Sequence, residues 1–417
     1  MQTHRDVNNE TDDVMESDDH IGADGDNNFS SNDDNSDVVL LDPQMSNILE
    51  EASEFLFEEE AEEAVDECER IIEAHQKDGF CVDCTKEFIA TGGEDDTAAV
   101  FRITDFDKPI LRIQHDDSVT SVKFNSMGTL LATGDMSGKI LITDMSDMRR
   151  RCEMDDCGDL EWLEWHSVAD VLFAGGGDGV IWMYLVGKTG IAQTKTFVNR
   201  VGASCTVGKL LPDGKRLVTG YGNGTVLIWS LKDNAALTAN INCNCRCTTI
   251  DVDRRQDWAI VGAENGRWFM INTNDGCLML ENLLATECQQ VDVEAMEDES
   301  GEGQEPSVEC ARFCDTNQWV AVGGNLGYLG IYEISGSLRH VLPHDGQVVV
   351  KCAWLNINEN SSTLVTASLD GKLRVWDARS GNLLKVSFYE AIEYCLGFLF
   401  FLGLHYTYFL VLLWWQR

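Results

Sequence analysis

Near the end of the chain, three residues have types and spacing that could do chemistry: His344, Thr366 and Asp370. A hydroxyl beside an imidazole and a carboxylate is the arrangement that acyl-transfer enzymes use to activate a nucleophile. Similar residue sets recur upstream, as His75, Thr91 and Asp95 and as His115 and Thr133. An enzyme needs one such set, whereas a repeated set is expected of a recurring structural unit. We therefore predict that these residues are structural and that the protein is not an enzyme.

Two groups of cysteines have spacings that suggest metal ligation, the pair Cys81 and Cys84 and the triplet Cys243, Cys245 and Cys247. Alternate residues of a strand share one face, so the triplet makes a poor tetrahedral cage, and no second pair is suitably placed. We predict no metal site and no cofactor. The chain has 15 cysteines, an odd number, and its start lacks the apolar segment of a secretion signal. These features indicate reduced thiols and a cytoplasmic protein, with the nucleus as a second location.

The elements that would position these residues are internal repeats. One pattern recurs seven times: small residues, a turn often carrying Asn, Asp or Gly, and an alternating apolar strand. The copies end at Phe101, Thr143, Tyr184, Trp229, Ile271, Tyr332 and Trp376. Their spacing is about 42 residues, and only the interval before Tyr332 is much longer. This period with short strands predicts a β-propeller, in which each repeat forms one four-stranded blade.

Several stretches of these repeats resemble the WD-repeat family: "TGGEDD" (91–96), "LLATGDMSG" (130–138), "GDLEWLEWH" (158–166) and "SLDGKLRVWDARSG" (368–381). They are most similar to a group of WD-repeat proteins linked in animals to cell migration. The wider group includes an acidic fungal propeller that chaperones a basic ribosomal protein. The resemblance implies an all-β WD-repeat β-propeller over residues 71–385 and a non-enzymatic interaction protein of the cytosol and nucleus. Seven repeats are visible, and the eighth that the family carries after "WDARSG" is missing.

In propellers of this family the repeated set holds a blade together. A histidine, a Ser or Thr, the aspartate of a turn and a terminal tryptophan form a buried hydrogen-bonded group. The resemblance assigns these roles to His344, Thr366, Asp370 and Trp376 in the last repeat. It assigns them in part to two earlier repeats, with His75, Thr91 and Asp95 in the first and His115 and Thr133 in the second. In the second repeat Ser137 stands where the turn aspartate is expected.

Negative charge is concentrated in two segments. The formal net charge is −40, and residues 1–70 hold 24 Asp and Glu against two arginines. A segment with so many like charges repels itself and buries little, so we predict a mostly disordered acidic arm over residues 1–70. A second acidic stretch, residues 290–307, is predicted to be an exposed loop insertion. Nucleic acids and anionic membranes are polyanions that would be repelled, so a basic protein or peptide is the expected partner.

The propeller turns are predicted to add acidic residues to one face. The turns that carry the blade histidines and the Asp-Gly or Asn-Gly pairs emerge on the same side, around the central channel. We predict there a docking face that grips a Lys- and Arg-rich peptide, although these acids could also serve only to solvate turns. Its candidate residues are Glu94, Asp96, Asp116, Asp117, Asp159, Glu161, Glu264 and Asp345. Trp162, beside Glu161, is the candidate aromatic anchor.

Residues 386–417 follow neither the repeat pattern nor the family. They contain an almost uninterrupted apolar run from Cys395 to Trp415. Lys385, Val386 and Ser387 can be encoded by AAG-GTA-AGT, an exon end followed by a splice-donor sequence. We predict a translated intron or an alternative end that replaces the final repeat. Two alternatives stay open, a membrane-spanning helix, for which the run is long enough, and buried strands.

These features support three functions. The first is a monomeric scaffold or chaperone that binds basic protein segments through the acidic face and the arm, with ribosome biogenesis as the candidate process. The second is a signalling scaffold in cell migration, for which the arm would be dispensable. The third is a membrane WD-repeat protein anchored by residues 395–415.

Deletion of residues 1–70 distinguishes the first function from the second. If the arm contributes to binding, the deletion weakens capture of a Lys- and Arg-rich protein at low salt, because attraction between opposite charges is lost. The measurement is a pull-down from buffers of increasing ionic strength. Unchanged capture would favour the signalling scaffold.

Overall fold

The computed structural model describes residues 72, 74–198, 202–237, 241–284, 305–355 and 362–388. Every regular element within these residues is a β-strand, and the strands form seven antiparallel sheets. Each sheet is built from strands that follow one another along the chain, and its first strand packs against the first strands of neighbouring sheets. The sheets are therefore the blades of a propeller, and the first strand of each blade is the inner one. The predicted fold class is confirmed.

Seventeen strands form the first four blades. Blade 1 contains β1 (Gly79–Cys84), β2 (Phe88–Gly93), β3 (Thr97–Arg102) and β4 (Leu111–Gln114). Blade 2 contains β5 (Val119–Phe124), β6 (Leu130–Asp135), β7 (Ile140–Asp144) and β8 (Arg149–Met154). Blade 3 contains β9 (Leu160–Trp165), β10 (Val171–Gly176), β11 (Val180–Gly187) and β12 (Gly190–Val198). Blade 4 contains β13 (Val207–Leu210), β14 (Arg216–Gly220), β15 (Thr225–Ser230), β16 (Ala235–Ala236) and β17 (Ile241–Asn242), and both β16 and β17 pair with β15.

The remaining twelve strands form three blades. Blade 5 contains β18 (Cys247–Val252), β19 (Trp258–Ala263), β20 (Arg267–Asn272) and β21 (Leu278–Leu283). Blade 6 contains β22 (Val308–Phe313), β23 (Trp319–Gly324), β24 (Tyr328–Glu333) and β25 (Leu338–Pro343). Blade 7 contains β26 (Val349–Leu355), β27 (Thr363–Ser368), β28 (Lys372–Asp377) and β29 (Asn382–Phe388). The seven predicted repeat ends all lie in the third strands of their blades.

The structure moves one predicted boundary. The propeller was expected to stop at Lys385, but β29 continues to Phe388, and Val386 and Ser387 pair with Arg374 and Leu373 of β28. The boundary is therefore corrected to Phe388. The acidic arm, residues 290–304 of the loop insertion and residues 389–417 lie outside the described residues.

Apolar packing between successive blades forms six cores. Side chains alternate along a strand, so each blade has one face toward the preceding blade and one toward the next. In β2, for example, Ala90 belongs to the core shared with blade 2, and Ile89 lies on the other face. The six shared cores run without interruption from the junction of blades 1 and 2 to the junction of blades 6 and 7.

Each of these six junctions also carries a hydrogen bond that involves an inner strand or the residues just before it. Each bond joins a side chain of one blade to a backbone group of the adjacent blade. These bonds fix the register of one blade against the next. The bonds run from Phe124 N–H to Asp83 (2.7 Å), Trp165 Nε1 to Lys123 O (2.8 Å), Trp162 Nε1 to Cys205 O (3.1 Å), Thr206 Oγ1 to Cys247 O (2.7 Å), Phe313 N–H to Asp251 (2.9 Å) and Trp354 Nε1 to Arg312 O (3.1 Å).

Two glycines make room for an indole between blades 3 and 4. A Cβ at Gly175 would lie 2.0 Å from Nε1 of Trp162, and a Cβ at Gly208 would lie 2.2 Å from its Cζ2. Both distances are far below van der Waals contact, and an indole in a packed core has little freedom to move. Small residues are therefore required on both sides of Trp162.

The substitution Gly208→Ala is expected to destabilise the protein by roughly 1–3 kcal/mol, because the added methyl group overpacks this junction. Gly158→Ala is the matched control, since a Cβ there meets no atom within 4 Å. We expect the control to change the free energy of unfolding by less than about 0.5 kcal/mol. Denaturant unfolding of both variants is the measurement, and equal stabilities would contradict the proposed packing.

Candidate protein-binding face

One end of the propeller collects the loops that lead into the inner strands and the turns between second and third strands. Antiparallel strands alternate in direction, so these two loop types must share one end of the blades. Direct contacts join them: His75 Nδ1 lies 2.9 Å from Asp95, and His115 Nδ1 lies 3.0 Å from Asp135. We call this end of the propeller the entry face.

The predicted blade networks are present in blades 1 and 2. In blade 1, His75 Nε2 lies 2.8 Å from Thr91 Oγ1, and in blade 2, His115 Nε2 lies 2.8 Å from Thr133 Oγ1. Burial would raise the pKa of Asp95, but hydrogen bonds from His75 and neighbouring groups outweigh it and lower that pKa. These contacts hold loop, turn and strand together inside one blade.

Sequence reasoning missed the acidic partner of blade 2. Ser137 occupies the expected turn position, but the carboxylate that contacts His115 belongs to Asp135, the last residue of β6. Ser137 instead donates to Asp135 over 2.6 Å. The sequence does contain a signal for this contact. Asp135 stands two residues earlier than the turn aspartate of the other repeats, and its side chain still reaches the imidazole of His115.

The network of blade 7 differs from the prediction at one residue. Thr366 Oγ1 contacts His344 Nε2 at 2.7 Å and accepts from Trp376 Nε1 at 2.9 Å, as expected. However, His344 Nδ1 donates to the carbonyl of Leu342 (2.8 Å) and not to Asp370. Asp370 pairs with Arg374 at 2.5 Å, because an arginine on β28 lies within reach of the turn.

Half of the predicted acidic residues of the entry face are neutralised by bases. Sequence reasoning did not identify the bases that pair with them, which are Lys77, Lys139, Arg246, Lys372 and Arg374. The ion pairs are Glu94–Lys77 (3.4 Å), Asp116–Lys139 (2.7 Å), Glu161–Arg246 (3.4 Å), Asp345–Lys372 (2.8 Å) and Asp345–Arg374 (2.7 Å). The bases lie on neighbouring loops and strands, so their proximity is visible only in the folded protein.

The other four predicted acids have two kinds of environment. Asp96 and Asp159 have left-handed backbone conformations, with φ of 59° and 41°, and Asp117 caps the N–H of Ser118 at 2.8 Å. These three residues therefore shape turns, which is the alternative role considered for the acids. Glu264 is exposed on the turn between β19 and β20. Carboxylates in all four positions still add negative charge to the entry face.

A cluster of negative charge lies where blade 3 begins. Asp155, Asp156, Asp159 and Asp178 are all exposed, and the last three lie close to the buried thiol of Cys157. Burial, together with charge repulsion from Asp178, Asp156 and Asp159, raises the pKa of Cys157 to about 12. We call these four aspartates the blade-3 acidic patch. Asp155 and Asp156 were not among the predicted site residues, although "EMDDCGD" (153–159) carries the signal.

Trp162 is not a partner anchor. Its side chain is buried with a residual exposure of 9%, packs between blades 3 and 4, and donates to Cys205 O. Trp165 is buried on the opposite side of β9, against blade 2. Sequence reasoning had proposed Trp162 as the aromatic anchor for a partner. A blade inside a propeller has neighbours on both faces, so alternating residues of an inner strand are both buried.

The wall of the central channel is not a ring of acids. One register position on six successive inner strands carries charges of alternating sign, and the seventh carries Ala353. The six residues are Asp83, Lys123, Glu164, Lys209, Asp251 and Arg312. Lys209 and Glu164 form an ion pair of 2.8 Å. Because the opposite charges compensate each other, attraction for a basic partner belongs to the loops of the entry face.

The candidate metal ligands are separated or buried. Cys81 and Cys247 are packed in apolar junctions, and burial raises the pKa of Cys84 to about 12. Among the described residues no group of three or more His, Cys, Asp and Glu could hold a metal ion. The same residues contain no helix able to cross a bilayer, and the predicted anchor, residues 395–415, lies outside them.

Comparison with known proteins identifies the family. The WD domain, G-beta repeat, matches residues 108–144, 195–230 and 336–377. The angio-associated migratory cell protein of dog is 35% identical over 334 residues, which cover 77% of this chain and 73% of the relative. The chain belongs to the angio-associated migratory cell protein family. The human member is 34% identical over the same coverage, and the resemblance predicted from the repeat motifs is confirmed.

A more distant likeness extends to a fungal propeller. The ribosome assembly protein Sqt1 of Saccharomyces cerevisiae is 22% identical over 70% of this chain and 68% of its own length. The crystal structure of Chaetomium thermophilum Sqt1 bound to the N-terminus of ribosomal protein L10 matches with a TM-score of 0.66 and 18% identity, over 78% of this chain and 91% of that chain. At this identity the match shows that the propeller fold is shared.

The buried His344 is expected to make stability depend on pH. Burial and the nearby Arg374 lower its pKa to about 3, so the folded protein keeps the imidazole neutral while the unfolded chain is protonated below about pH 6.5. The unfolded state then binds more protons, and the free energy of unfolding falls as pH decreases, by roughly 1 kcal/mol between pH 7 and 5.5. Urea unfolding at the two pH values measures this loss.

His344→Gln should reduce this pH dependence, since glutamine has no proton to gain. His340→Gln is the control, because His340 lies near the surface and bonds to the carbonyl of Arg379. A pH dependence that survives in His344→Gln and disappears in His340→Gln would contradict the assignment.

Proposed function

We propose that this protein is a non-enzymatic scaffold or chaperone whose entry face binds a Lys- and Arg-rich segment of another protein. The observation that carries the proposal is the blade-3 acidic patch, whose four aspartates are all exposed on that face. The sequence adds negative charge in the acidic arm and the acidic loop insertion, and the formal net charge of the chain is −40. An excess of negative charge favours a basic partner.

The described residues that flank the two acidic segments lie at the entry face. The described chain enters blade 1 through Ala74 and His75, and His75 contacts the entry-face turn of that blade. Between blades 5 and 6, Leu284 N–H bonds to Gly266 O and Asn325 N–H bonds to Ser307 O, and Gly266 and Asn325 lie on entry-face turns. In the sequence, residues 291–307 contain seven acids and no base.

The blade-3 patch gives the face a fixed element. Its four aspartates emerge from the short connection between β8 and β9 and from the adjacent turn, both held by backbone hydrogen bonds such as Gly177 N–H to Asp159 O (2.8 Å). Carboxylates on a rigid scaffold make charge-assisted hydrogen bonds with little loss of conformational freedom.

The relatives suggest the class of partner. Sqt1 is named a ribosome assembly protein, and one Sqt1 structure is bound to the N-terminus of a ribosomal protein. Ribosomal proteins are basic because they bind RNA, so a nascent ribosomal protein suits the charge of the entry face. We propose such a partner, met in the cytoplasm and also in the nucleus. Membership of a family named for migratory cells favours a signalling scaffold as the second candidate.

The test removes charge without changing shape. The triple variant Asp155→Asn, Asp156→Asn and Asp159→Asn is expected to raise the Kd for the N-terminal segment of ribosomal protein L10 by about tenfold or more at low salt, and to flatten its salt dependence. Asp105→Asn, Asp107→Asn and Asp147→Asn are the control, since these aspartates lie on turns at the opposite end of the blades. Calorimetry at several ionic strengths gives both quantities. Equal Kd values for the two triple variants would refute the proposed face.

A further inference from the structure

A cysteine-rich loop leads into the inner strand of blade 5 and therefore belongs to the entry face. It runs from Cys243 to Cys247 and connects β17 to β18, and we call it the cysteine loop. Its middle residues, Asn244, Cys245 and Arg246, are exposed or half-buried. The cysteines at its two ends are buried, with exposures of 1% for Cys243 and 0% for Cys247. Two thiols thus lie directly beneath a short surface loop.

The two ends of the cysteine loop are bound to the same turn of blade 4. Cys243 N–H donates to Gly224 O (2.8 Å), and Cys247 N–H donates to Tyr221 O (3.2 Å). The turn itself, between β14 and β15, is closed by a hydrogen bond from Gly224 N–H to Tyr221 O (3.0 Å). The chain reverses at Asn244, which has a left-handed φ of 58°. The backbone therefore holds the two cysteines side by side.

The two sulfur atoms are in hydrogen-bonding contact, with the Cys243 thiol as the donor. This hydrogen bond lowers the pKa of Cys247, although burial opposes the effect. The same bond, together with burial, raises the pKa of Cys243. One sulfur is favoured as a thiolate and its neighbour is kept as a thiol. Disulfide formation uses such a pair, because a thiolate attacks the oxidant and a second thiol completes the bond.

Packing alone does not account for a cysteine at position 247. The same register position on the inner strands of blades 2, 6 and 7 is occupied by Val119, Val308 and Val349. These valines are also fully buried. A valine fills such a position with an apolar side chain and introduces no reactive group. A thiol here, in contact with a second thiol, therefore points to redox chemistry.

We propose that Cys243 and Cys247 form a reversible redox site, which hydrogen peroxide converts to a disulfide. The Cys247 thiolate attacks the peroxide: an S–O bond forms, the O–O bond breaks, and the hydroxide that leaves takes up a proton. The Cys243 thiol then attacks the sulfur of this sulfenic acid: the S–S bond forms, the S–O bond breaks, and a second water leaves. Two electrons thus pass from the thiols to the peroxide. A small-molecule thiol reverses the reaction by thiol–disulfide exchange.

The disulfide changes the freedom of a base on the entry face. It closes a ring that contains Arg246, whose guanidinium lies 3.4 Å from Glu161. Local opening of the exposed middle of the loop gives the oxidant access to the buried sulfurs, and the closed ring then limits further opening. Formation of the disulfide does not depend on which protein binds the entry face.

The first experiment maps the disulfide in the native full-length protein. Trypsin cleaves after Arg246, so a bond between Cys243 and Cys247 joins the peptides on either side of this position. The protein is treated with hydrogen peroxide, free thiols are blocked with N-ethylmaleimide, and the digest is analysed by mass spectrometry without reductant. We expect the linked peptide pair, and we expect dithiothreitol added before blocking to abolish it.

Serine variants assign the bond to its two sulfurs. Cys245→Ser should keep the linkage, and Cys243→Ser should lose it. Cys277→Ser is the control, because it removes an exposed thiol outside the loop and should change nothing. The proposal is overturned if the wild type gives no linked pair, or if the linkage survives in Cys243→Ser and disappears in Cys245→Ser.

The second experiment tests which cysteine attacks the oxidant. In Cys243→Ser the hydroxyl can still donate a hydrogen bond to the sulfur of Cys247, but it cannot complete a disulfide. The sulfenic acid of Cys247 should then persist, and dimedone should label Cys247 several-fold more than in the wild type. Cys247→Ser should give no label at Cys243. Equal labelling of Cys247 in the wild type and in Cys243→Ser would contradict the assigned roles.

A second pair of sulfurs provides an internal comparison in the same digests. Cys310 and Cys352 are also in hydrogen-bonding contact, but they lie within β22 and β26 of two different blades. A bond between them requires two packed blades to shift, so we expect it to form more slowly than the bond in the cysteine loop. Faster loss of Cys310 and Cys352 than of the loop thiols would also count against the proposal.

Discussion

The fold rests on one constraint: a four-stranded blade has two apolar faces and cannot cover either by itself. Each blade therefore depends on its neighbours, and stability is distributed over the junctions between blades. The six described junctions all combine an apolar core with a hydrogen bond near the inner strands. This arrangement explains why both tryptophans of β9 are buried, and why glycines are required where an indole crosses from blade 3 to blade 4.

The same constraint places the functional surface. Side chains on the strand faces are packed against neighbouring blades. Charged residues on the channel wall alternate in sign and compensate each other. Carboxylates without a basic partner therefore remain mainly on loops. Strict alternation of charge around seven positions requires one neutral residue, and that residue, Ala353, lies in blade 7. A partner that is selected by charge is therefore expected to meet the entry face, where the blade-3 acidic patch lies.

Much of the fold was predictable because it depends on local patterns. Turn residues, alternating apolar positions and a period near 42 residues placed all seven third strands and identified the histidine networks of blades 1 and 2. The wrong predictions concern side chains that have several possible partners distant in sequence. Asp370 pairs with Arg374, Asp135 and not Ser137 lies beside the blade-2 histidine, and Trp162 is a core residue. These contacts depend on distances between loops and blades.

By itself, the sequence determined that the chain is a propeller with an acidic excess, since repeat period and net charge are sums over many residues. Tertiary structure alone decided which carboxylates are free. Glu94, Asp116, Glu161 and Asp345 meet bases from neighbouring loops and strands, whereas the aspartates around Cys157 gather from one connection and one turn. Ion pairing depends on a few ångströms between atoms, and that information exists only when the blades are assembled.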